Sequence, residues 1–254
     1  MKFSKKQNGF TLVELLVVIS ILGILSVALF PKIGNALVKA KLTAVKAHGK
    51  DIYTCITSAN IDRDVNGYGD IWPRTKGDTD SGSSTDIGAK SFGNSTDYFW
   101  ELYDGDNAGK EDHKPWAPGF DLSMLSGGGV SSHSGTTKLN DKNNIWTIAA
   151  NVTDEIKDYI PVLVTRNFDA SKLWKKLSSD STDEIKNWNS SKYTTPFGKD
   201  SFVLVYKSGA NKDIESRYTS AHTIYGGSTF DFSTASGDMD PFTYLDPQGK
   251  SDPQ

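Results

Sequence analysis

The chain contains a single cysteine, Cys55, and this scarcity excludes an intramolecular disulfide. Disulfides commonly stabilise small exported domains, so this fold must be held together by its core, and 254 residues are enough to bury one. The histidines lie far apart, at His48, His113, His133 and His222. No nucleophile-elbow, zinc-peptidase or phosphate-loop motif occurs. We therefore predict that the protein is not an enzyme.

The chain also lacks an excess of positive charge. The chain has 28 lysines and arginines against 31 aspartates and glutamates, a formal net charge of −3. Proteins that bind nucleic acid usually carry a basic stripe or an excess of positive charge. We therefore expect no nucleic-acid partner.

Long apolar runs are absent from most of the chain, and the exception is residues 10–30. A short basic leader ends at Gly9, the apolar run follows, and Pro31 closes it. A helix needs about 20 apolar residues to cross a bilayer, so the run predicts a transmembrane helix whose basic leader stays in the cytoplasm. Glu14 lies inside this run, where a carboxylate is costly unless it is paired.

This segment resembles the N-terminus of type IV pilins and of the pseudopilins of type II secretion systems. The matching residues are Lys5, Lys6 and Gly9 in the leader, Phe10, Thr11, Leu12, Val13 and Glu14 after it, and Pro31 at the far end. The resemblance implies that prepilin peptidase cleaves between Gly9 and Phe10 and methylates the new N-terminus. It also implies that Glu14 pairs with the N-terminal amine of a neighbouring subunit, and that Pro31 kinks the helix. Loss of the leader would move the formal charge from −3 to −6, because three lysines leave with it.

Two other interpretations of the N-terminus explain less. A cleavable secretory signal would need a small-x-small cleavage site before Pro31, and it would not contain Glu14. An ordinary single-span anchor accounts for the apolar residues and the leader lysines. It leaves the position of Glu14 after Gly9 and Phe10 unexplained.

The helical pattern continues beyond Pro31. Apolar residues recur at mostly three to five positions, as in an amphipathic helix, at Ile33, Leu37, Ala40, Ala44, Ala47, Ile52, Cys55 and Ala59. We predict a prepilin leader at residues 1–9 and a long N-terminal helix at 10–60. Its first part, 10–30, is the transmembrane segment and its second part, 31–60, an amphipathic stem. Residues 61–254 then form a globular periplasmic domain.

The globular part combines helix and strand signals. Short helices are predicted at residues 96–104 and 169–177. Strands are predicted at 144–150, 159–166 and 201–207, with a weaker candidate at 223–232 and an irregular tail after Gly237. These elements predict an α+β fold, in which the long membrane-spanning helix packs on a domain with a small antiparallel sheet and loops.

Residues 62–70 match the first nine positions of a calcium loop. The ligands would be Asp62, Asp64, Asn66, the Tyr68 carbonyl and Asp70, around a turn at Gly67. The twelfth position is Pro73 rather than glutamate, so an EF-hand is excluded, and a last ligand would come from Asp78 or Asp80. The alternative is a polar turn, which favours the same residue types.

The combined features predict a structural subunit of a type II secretion pseudopilus. Its partners would be other pilin or pseudopilin subunits, prepilin peptidase, an inner-membrane assembly platform and membrane lipid. It would lie in the inner membrane as a single-pass protein with its bulk in the periplasm, in a filament that could extend outside the cell. Many type IV pilins close a C-terminal loop with a disulfide, so the single cysteine favours the pseudopilin side. The alternatives are a type IV pilus subunit for adhesion or DNA uptake and a membrane-tethered binding domain.

Overall fold

The structure is a computed structural model of the full chain. It describes residues 10–75, 86–104, 114–125, 139–170, 190–199, 201–215, 224–225 and 243–248. The chain forms two compact units, Met1–Lys41 and Leu42–Gln254. Each unit is described separately below.

One long helix, α1 (Leu12–Val65), begins in the first unit and ends in the second. It runs across Pro31 and ends five residues beyond the predicted position. The hydroxyls of Ser20 and Ser26 donate to the carbonyls of Leu16 and Leu22, at 2.8 and 2.7 Å, so the helix itself satisfies these polar groups. Among the described residues, no helix is both long and apolar enough to cross a membrane. The predicted transmembrane segment at residues 10–30 is therefore not confirmed.

The second unit contains the globular core, and the C-terminal half of α1 contributes one face to it. The buried positions on that half are Leu42, Val45, Gly49, Ile52, Ile56 and Ala59. They alternate at spacings of three and four, which places them on one side of the helix. The predicted stripe was right at Ile52 and Ala59. It was wrong at the alanines 40, 44 and 47, which are exposed.

A five-stranded antiparallel sheet forms the centre of this unit, in the order β4-β3-β2-β1-β5. Its strands are β1 (Trp146–Ala150), β2 (Pro161–Thr165), β3 (Ser201–Tyr206), β4 (Asn211–Glu215) and β5 (Thr243–Leu245). Every residue of β1, β2 and β3 is buried, so both faces of the central strands are covered. This all-round burial explains why these strands are continuous apolar runs in the sequence.

Gly49 sets the close approach of α1 to the sheet. A Cβ atom at this position would lie 2.6 Å from the Trp146 ring and 2.9 Å from the Val205 side chain. No real side chain tolerates such contacts. The helix therefore needs glycine where it crosses β1 and β3.

The shorter helix α2 (Ser95–Asp104) begins with a reciprocal cap. The Asp97 backbone N–H donates to Asn94 Oδ1 and the Asn94 side-chain amide donates to Asp97 Oδ2, both at 2.7 Å. Tyr98, Phe99 and Leu102 are completely buried. Short 3-10 turns occupy Ile87–Ala89 and Leu122–Leu125.

Most of the predicted elements are confirmed, and two strands were missed. The helix predicted at 96–104 and the strands predicted at 144–150, 159–166 and 201–207 match α2, β1, β2 and β3. The strands β4 and β5 were not predicted. The helix predicted at 169–177 lies almost wholly outside the described residues, and so does the strand predicted at 223–232, of which only 224–225 are described, in a helical turn.

Candidate functional site

The residues expected to be processed and assembled lie at the start of α1. The leader at residues 1–9, including Gly9, lies outside the described residues. Phe10 and Thr11 are described and precede the first helical residue, Leu12. The Phe10 side chain is 76% exposed, so the first residue of the expected mature chain is presented beyond the helix end.

Thr11 and Glu14 form a capping box, which was not among the sequence predictions. The Thr11 backbone N–H donates to Glu14 Oε2 at 2.9 Å, and the Thr11 hydroxyl donates to the same oxygen at 2.7 Å. The Glu14 backbone N–H in turn donates to the Thr11 hydroxyl oxygen at 3.3 Å. The signal that could have revealed it is the Thr-x-x-Glu spacing before an apolar helix.

The capping box holds the carboxylate of Glu14 at the N-terminal end of the helix. Negative charge is favoured there, because the first backbone N–H groups of a helix lack intrahelical acceptors and the helix dipole is positive at that end. Both hydrogen bonds to the carboxylate end on Oε2, so a second donor would approach Oε1. The arrangement can therefore present one carboxylate oxygen to an amine from another chain.

The first half of α1 exposes an apolar surface on all its sides. Its large apolar side chains are between 45% and 86% exposed: Leu12, Val13, Leu15, Leu16, Val17, Val18, Ile19, Ile21, Leu22, Ile24, Leu25 and Val27. A continuous apolar surface of this kind marks a region that another protein or a lipid phase covers. Pro31 lies within the helix, and its predicted kink stays a prediction.

The predicted calcium loop begins inside α1. Asp62 and Asp64 belong to the last turn of the helix, where residues two apart do not face each other. Their carboxylates therefore project from different sides, although a calcium loop needs them to converge. The Asn66 side-chain amide donates to the Asp62 carbonyl at 2.7 Å.

The segment that follows is a helix C-cap of the Schellman type. The Gly67 N–H donates to the Asp64 carbonyl at 3.0 Å and the Tyr68 N–H to the Arg63 carbonyl at 2.9 Å. Gly67 has φ of +74°, the left-handed conformation that such a cap requires. The Asn66-Gly67 pair that suggested a calcium turn thus ends the helix.

Arg63 anchors this end of α1 to the rest of the second unit. Its guanidinium donates to both carboxylate oxygens of Asp86, at 2.8 and 2.9 Å, and to the Gly69 carbonyl at 2.7 Å. It also lies over the rings of Tyr68 and Trp116, at 5.4 and 5.5 Å from their centroids. This places a permanent positive charge within the segment where calcium was predicted.

Asp70, the last of the predicted ligands, has partners of its own. Its Oδ1 accepts from the Trp72 N–H at 3.0 Å. Burial raises the pKa of the Asp70 carboxyl, and the Trp72 hydrogen bond and the Arg74 guanidinium offset part of that rise. Among the described residues, no group of three or more histidine, cysteine, aspartate or glutamate side chains is placed to hold a metal ion. Calcium binding stays a prediction.

The start of α1 is also the part of the chain that matches a known family. The prokaryotic N-terminal methylation motif matches residues 4–30. The chain carries a prepilin-type signal. No curated protein and no solved structure matches the chain. A motif of this kind is typical of type IV pilin-like and pseudopilin subunits, in which it implies processing by prepilin peptidase and assembly with other pilin subunits.

Proposed function

We propose that the protein is a non-catalytic structural subunit of a type II secretion pseudopilus. The observation that carries the proposal is the capped Glu14 at the head of an apolar, exposed helix inside a prepilin-type signal. The carboxylate lies four residues after the expected new N-terminus, Phe10. It can accept the N-terminal amine of a neighbouring subunit, because an amine and a carboxylate that meet in lipid reduce each other's cost of burial.

The mechanism we propose is mechanical. Each subunit would be held in the inner membrane by residues 10–30, with residues 61–254 in the periplasm. An assembly platform would then move it into a filament, where neighbouring helices replace lipid around residues 10–30. Such a filament would push folded proteins towards an outer-membrane channel. The absence of a disulfide favours this role over that of a pilus exposed to mechanical stress outside the cell.

Processing is tested by intact-mass spectrometry of the protein extracted from native membranes. We expect the mass of a chain that begins at methylated Phe10. A Gly9→Leu variant is the matched control, because it changes the cleavage junction and leaves α1 unchanged. A full-length mass for the wild-type chain would contradict the proposal and would indicate an ordinary membrane anchor.

The kind of filament is tested by deleting the gene and measuring two outputs together. We expect loss of exoprotein secretion, with adhesion and DNA uptake unchanged, and restoration by the wild-type gene. A Glu14→Gln variant should be processed but should fail to restore secretion, because the neutral amide cannot pair as an ion with the amine. Normal secretion together with loss of adhesion or of DNA uptake would instead identify a type IV pilus subunit.

A further inference from the structure

The connection between β1 and β2 directs three backbone carbonyls at one point. It contains a tight turn in which the Ile156 N–H donates to the Thr153 carbonyl at 3.3 Å. The carbonyl oxygens of Thr153, Asp154 and Ile156 all accept from the Nζ atom of Lys207, at 2.9, 2.7 and 2.8 Å. Lys207 directly follows β3, so its side chain reaches the β1–β2 connection from the turn between β3 and β4.

The three carbonyls match a primary ammonium group in number and in chemistry. An ammonium group has three N–H donors and no acceptor, and hydrogen bonds from a charged donor are stronger than those between neutral groups. Backbone carbonyl oxygens that converge on one point also coordinate metal cations in proteins. The described partners of the Lys207 ammonium are therefore the kind of oxygen atoms that hold a bound cation.

Other lysines of the second unit use their ammonium groups differently. Lys46, Lys90 and Lys192 each pair with a carboxylate. The described contacts of the Lys207 ammonium are with backbone carbonyls, which carry no net charge. Such a set of carbonyls recognises the three N–H groups of an ammonium rather than its charge alone.

The backbone of Lys207 joins the same end of the sheet to α1. Its N–H donates to the Ile160 carbonyl at 2.9 Å, and its carbonyl accepts from the Tyr53 hydroxyl. The N–H of the next residue, Ser208, donates to the Asp158 carbonyl at 3.1 Å. Lys207 therefore connects three parts of the second unit: the β1–β2 connection, the turn after β3 and the C-terminal half of α1.

Gly209 keeps this turn close to α1. It has φ of +77°, and a Cβ atom at this position would lie 2.9 Å from Cε1 of the Tyr53 ring. A side chain here would push the turn away from the helix, so the close contact needs glycine. The turn that carries Lys207 is thus held by α1 on one side and by the β1–β2 connection on the other.

We propose that the carbonyls of Thr153, Asp154 and Ile156 form a binding site for a primary ammonium group, and that Lys207 is its occupant within the chain. We call these three carbonyls the ammonium site. Lys207 acts there as a bound cation would, and holds the β1–β2 connection against the turn between β3 and β4. The inference goes beyond the proposed function, because every contact lies within the second unit and none depends on processing or assembly.

Chemical rescue of the full-length chain in detergent micelles tests the ammonium site. Lys207→Ala removes three carbons and the ammonium group, which are the atoms of propylammonium. We expect Lys207→Ala to melt at a lower temperature than wild type, and propylammonium chloride to recover at least half of that loss relative to sodium chloride at equal ionic strength. The matched control, Lys50→Ala, removes the same atoms from an exposed lysine of α1 and should respond no more than wild type.

Two analogues of propylammonium show what the site recognises. The first, 1-propanol, has the same carbon chain without the charge, and propyltrimethylammonium has the charge without N–H donors. We expect neither to raise the melting temperature of Lys207→Ala. Rescue by propyltrimethylammonium as large as that by propylammonium would overturn the proposal. Equal responses of Lys207→Ala and Lys50→Ala to propylammonium would overturn it as well.

Hydrogen exchange gives a second test that needs no rescue. Lys207→Met keeps an apolar side chain and loses the ammonium group, so the N–H groups of Ile156 and Ile160 should exchange at least fivefold faster than in wild type. The N–H of Ile148, in the middle of β1, reports unfolding of the whole unit and should change less. Lys50→Met is the matched control and should leave all three rates unchanged. Equal exchange at Ile156 and Ile160 in Lys207→Met and wild type would overturn the proposal, whatever the melting temperatures show.

Discussion

Thr11 decides how the Glu14 carboxylate is held at the start of α1. Its hydroxyl donates to Glu14 Oε2 at 2.7 Å and accepts from the Glu14 backbone N–H at 3.3 Å. These contacts satisfy part of the carboxylate within its own chain, which lowers the cost of placing it in an apolar segment. Glu14 therefore caps the N-terminus of α1, in addition to its expected role in the contact between subunits.

Removal of the Thr11 hydroxyl should loosen the first turn of α1. We expect Thr11→Val to destabilise the start of the helix by about 1 kcal/mol, because valine has no hydroxyl to cap it. This free energy corresponds to about fivefold faster amide exchange. Hydrogen exchange at Val13 and Glu14 in detergent micelles measures this, and Thr11→Ser, which keeps the hydroxyl, is the matched control. Equal exchange in the valine and serine variants would show that the capping box contributes no stability.

Asp213 shows how a single ion pair makes stability depend on pH. Lys46 on α1 donates to Asp213 Oδ1 on β4 at 2.6 Å, and this hydrogen bond lowers the pKa of the Asp213 carboxyl. A carboxyl with a lower pKa in the folded state stabilises the fold above its unfolded pKa, about 3.9. That stabilisation is lost as the pH falls through the folded value. Both side chains are about a third or more exposed, 32% and 41%, so solvent screening keeps the effect small.

We therefore expect Asp213→Asn to lower the free energy of unfolding at pH 7 by less than about 1 kcal/mol. The difference from wild type should shrink as the pH falls and should vanish near pH 2, where both chains are neutral at this position. Urea unfolding in detergent at several pH values measures it. The exposed Glu155→Gln variant provides the matched control. A difference that grows on acidification would show the opposite sign and would contradict the assignment.

At the scale of the element, the end of α1 shows how one pattern fits two structures. Alternating oxygen side chains and a glycine turn predict a calcium loop, but Asn66-Gly67 is also a strong signal for a helix C-cap. Backbone hydrogen bonds of 3.0 and 2.9 Å realise the cap. The local sequence cannot distinguish a calcium loop from a helix C-cap here, because both need a residue with positive φ at position 67, directly after a run of polar residues.

Substitutions at Gly67 and Asp64 distinguish the two functions of this segment. We expect Gly67→Ala to cost about 1 kcal/mol, because alanine is strained at φ of +74°. The loss should be equal in calcium and in chelator when measured as a melting temperature. Asp64→Ala keeps the backbone hydrogen bonds of the cap and removes a predicted calcium ligand. A lower melting temperature for Asp64→Ala in calcium only would support a calcium site, and equal calcium responses in mutant and wild type would exclude one.

Strands that are buried on both faces are easier to predict from the sequence than edge strands. The strands β1, β2 and β3 are buried on both faces, so their sequences are apolar runs that stand out from the rest. The edge strand β4 contains Lys212 and Asp213, which hide it from a search for apolar runs. Charged residues are common on edge strands because they discourage pairing with other chains. The capping box, in contrast, is encoded locally by the Thr-x-x-Glu spacing before an apolar helix, so the sequence alone is enough to predict it.

At the scale of the whole molecule, the chain divides within α1 rather than at its end. Leu42 begins the second unit, and the second half of α1 supplies Val45, Ile52, Ile56 and Ala59 to its core. We therefore expect a stable globular fragment to include this half of the helix. The predicted domain start at residue 61 stays a prediction, and the buried helix face gives a direct way to test it.

Truncation and point variants make this test quantitative. We expect a chain that starts at Leu42 to unfold cooperatively, and a chain that starts at Ile61 to show no cooperative transition. The shorter chain loses several buried side chains, each worth about 1.5–3 kcal/mol, and a whole domain is stable by only about 5–15 kcal/mol.

Two isoleucines on the same helix provide a matched pair of point variants for the same test. Ile56→Ala should cost about 2–5 kcal/mol, because Ile56 is completely buried. Ile61→Ala should change the free energy of unfolding by less than about 0.5 kcal/mol, because its side chain is 66% exposed. Cooperative unfolding of the chain that starts at Ile61 would show that the helix is dispensable for the domain. The globular domain would then begin at residue 61, as the sequence predicts.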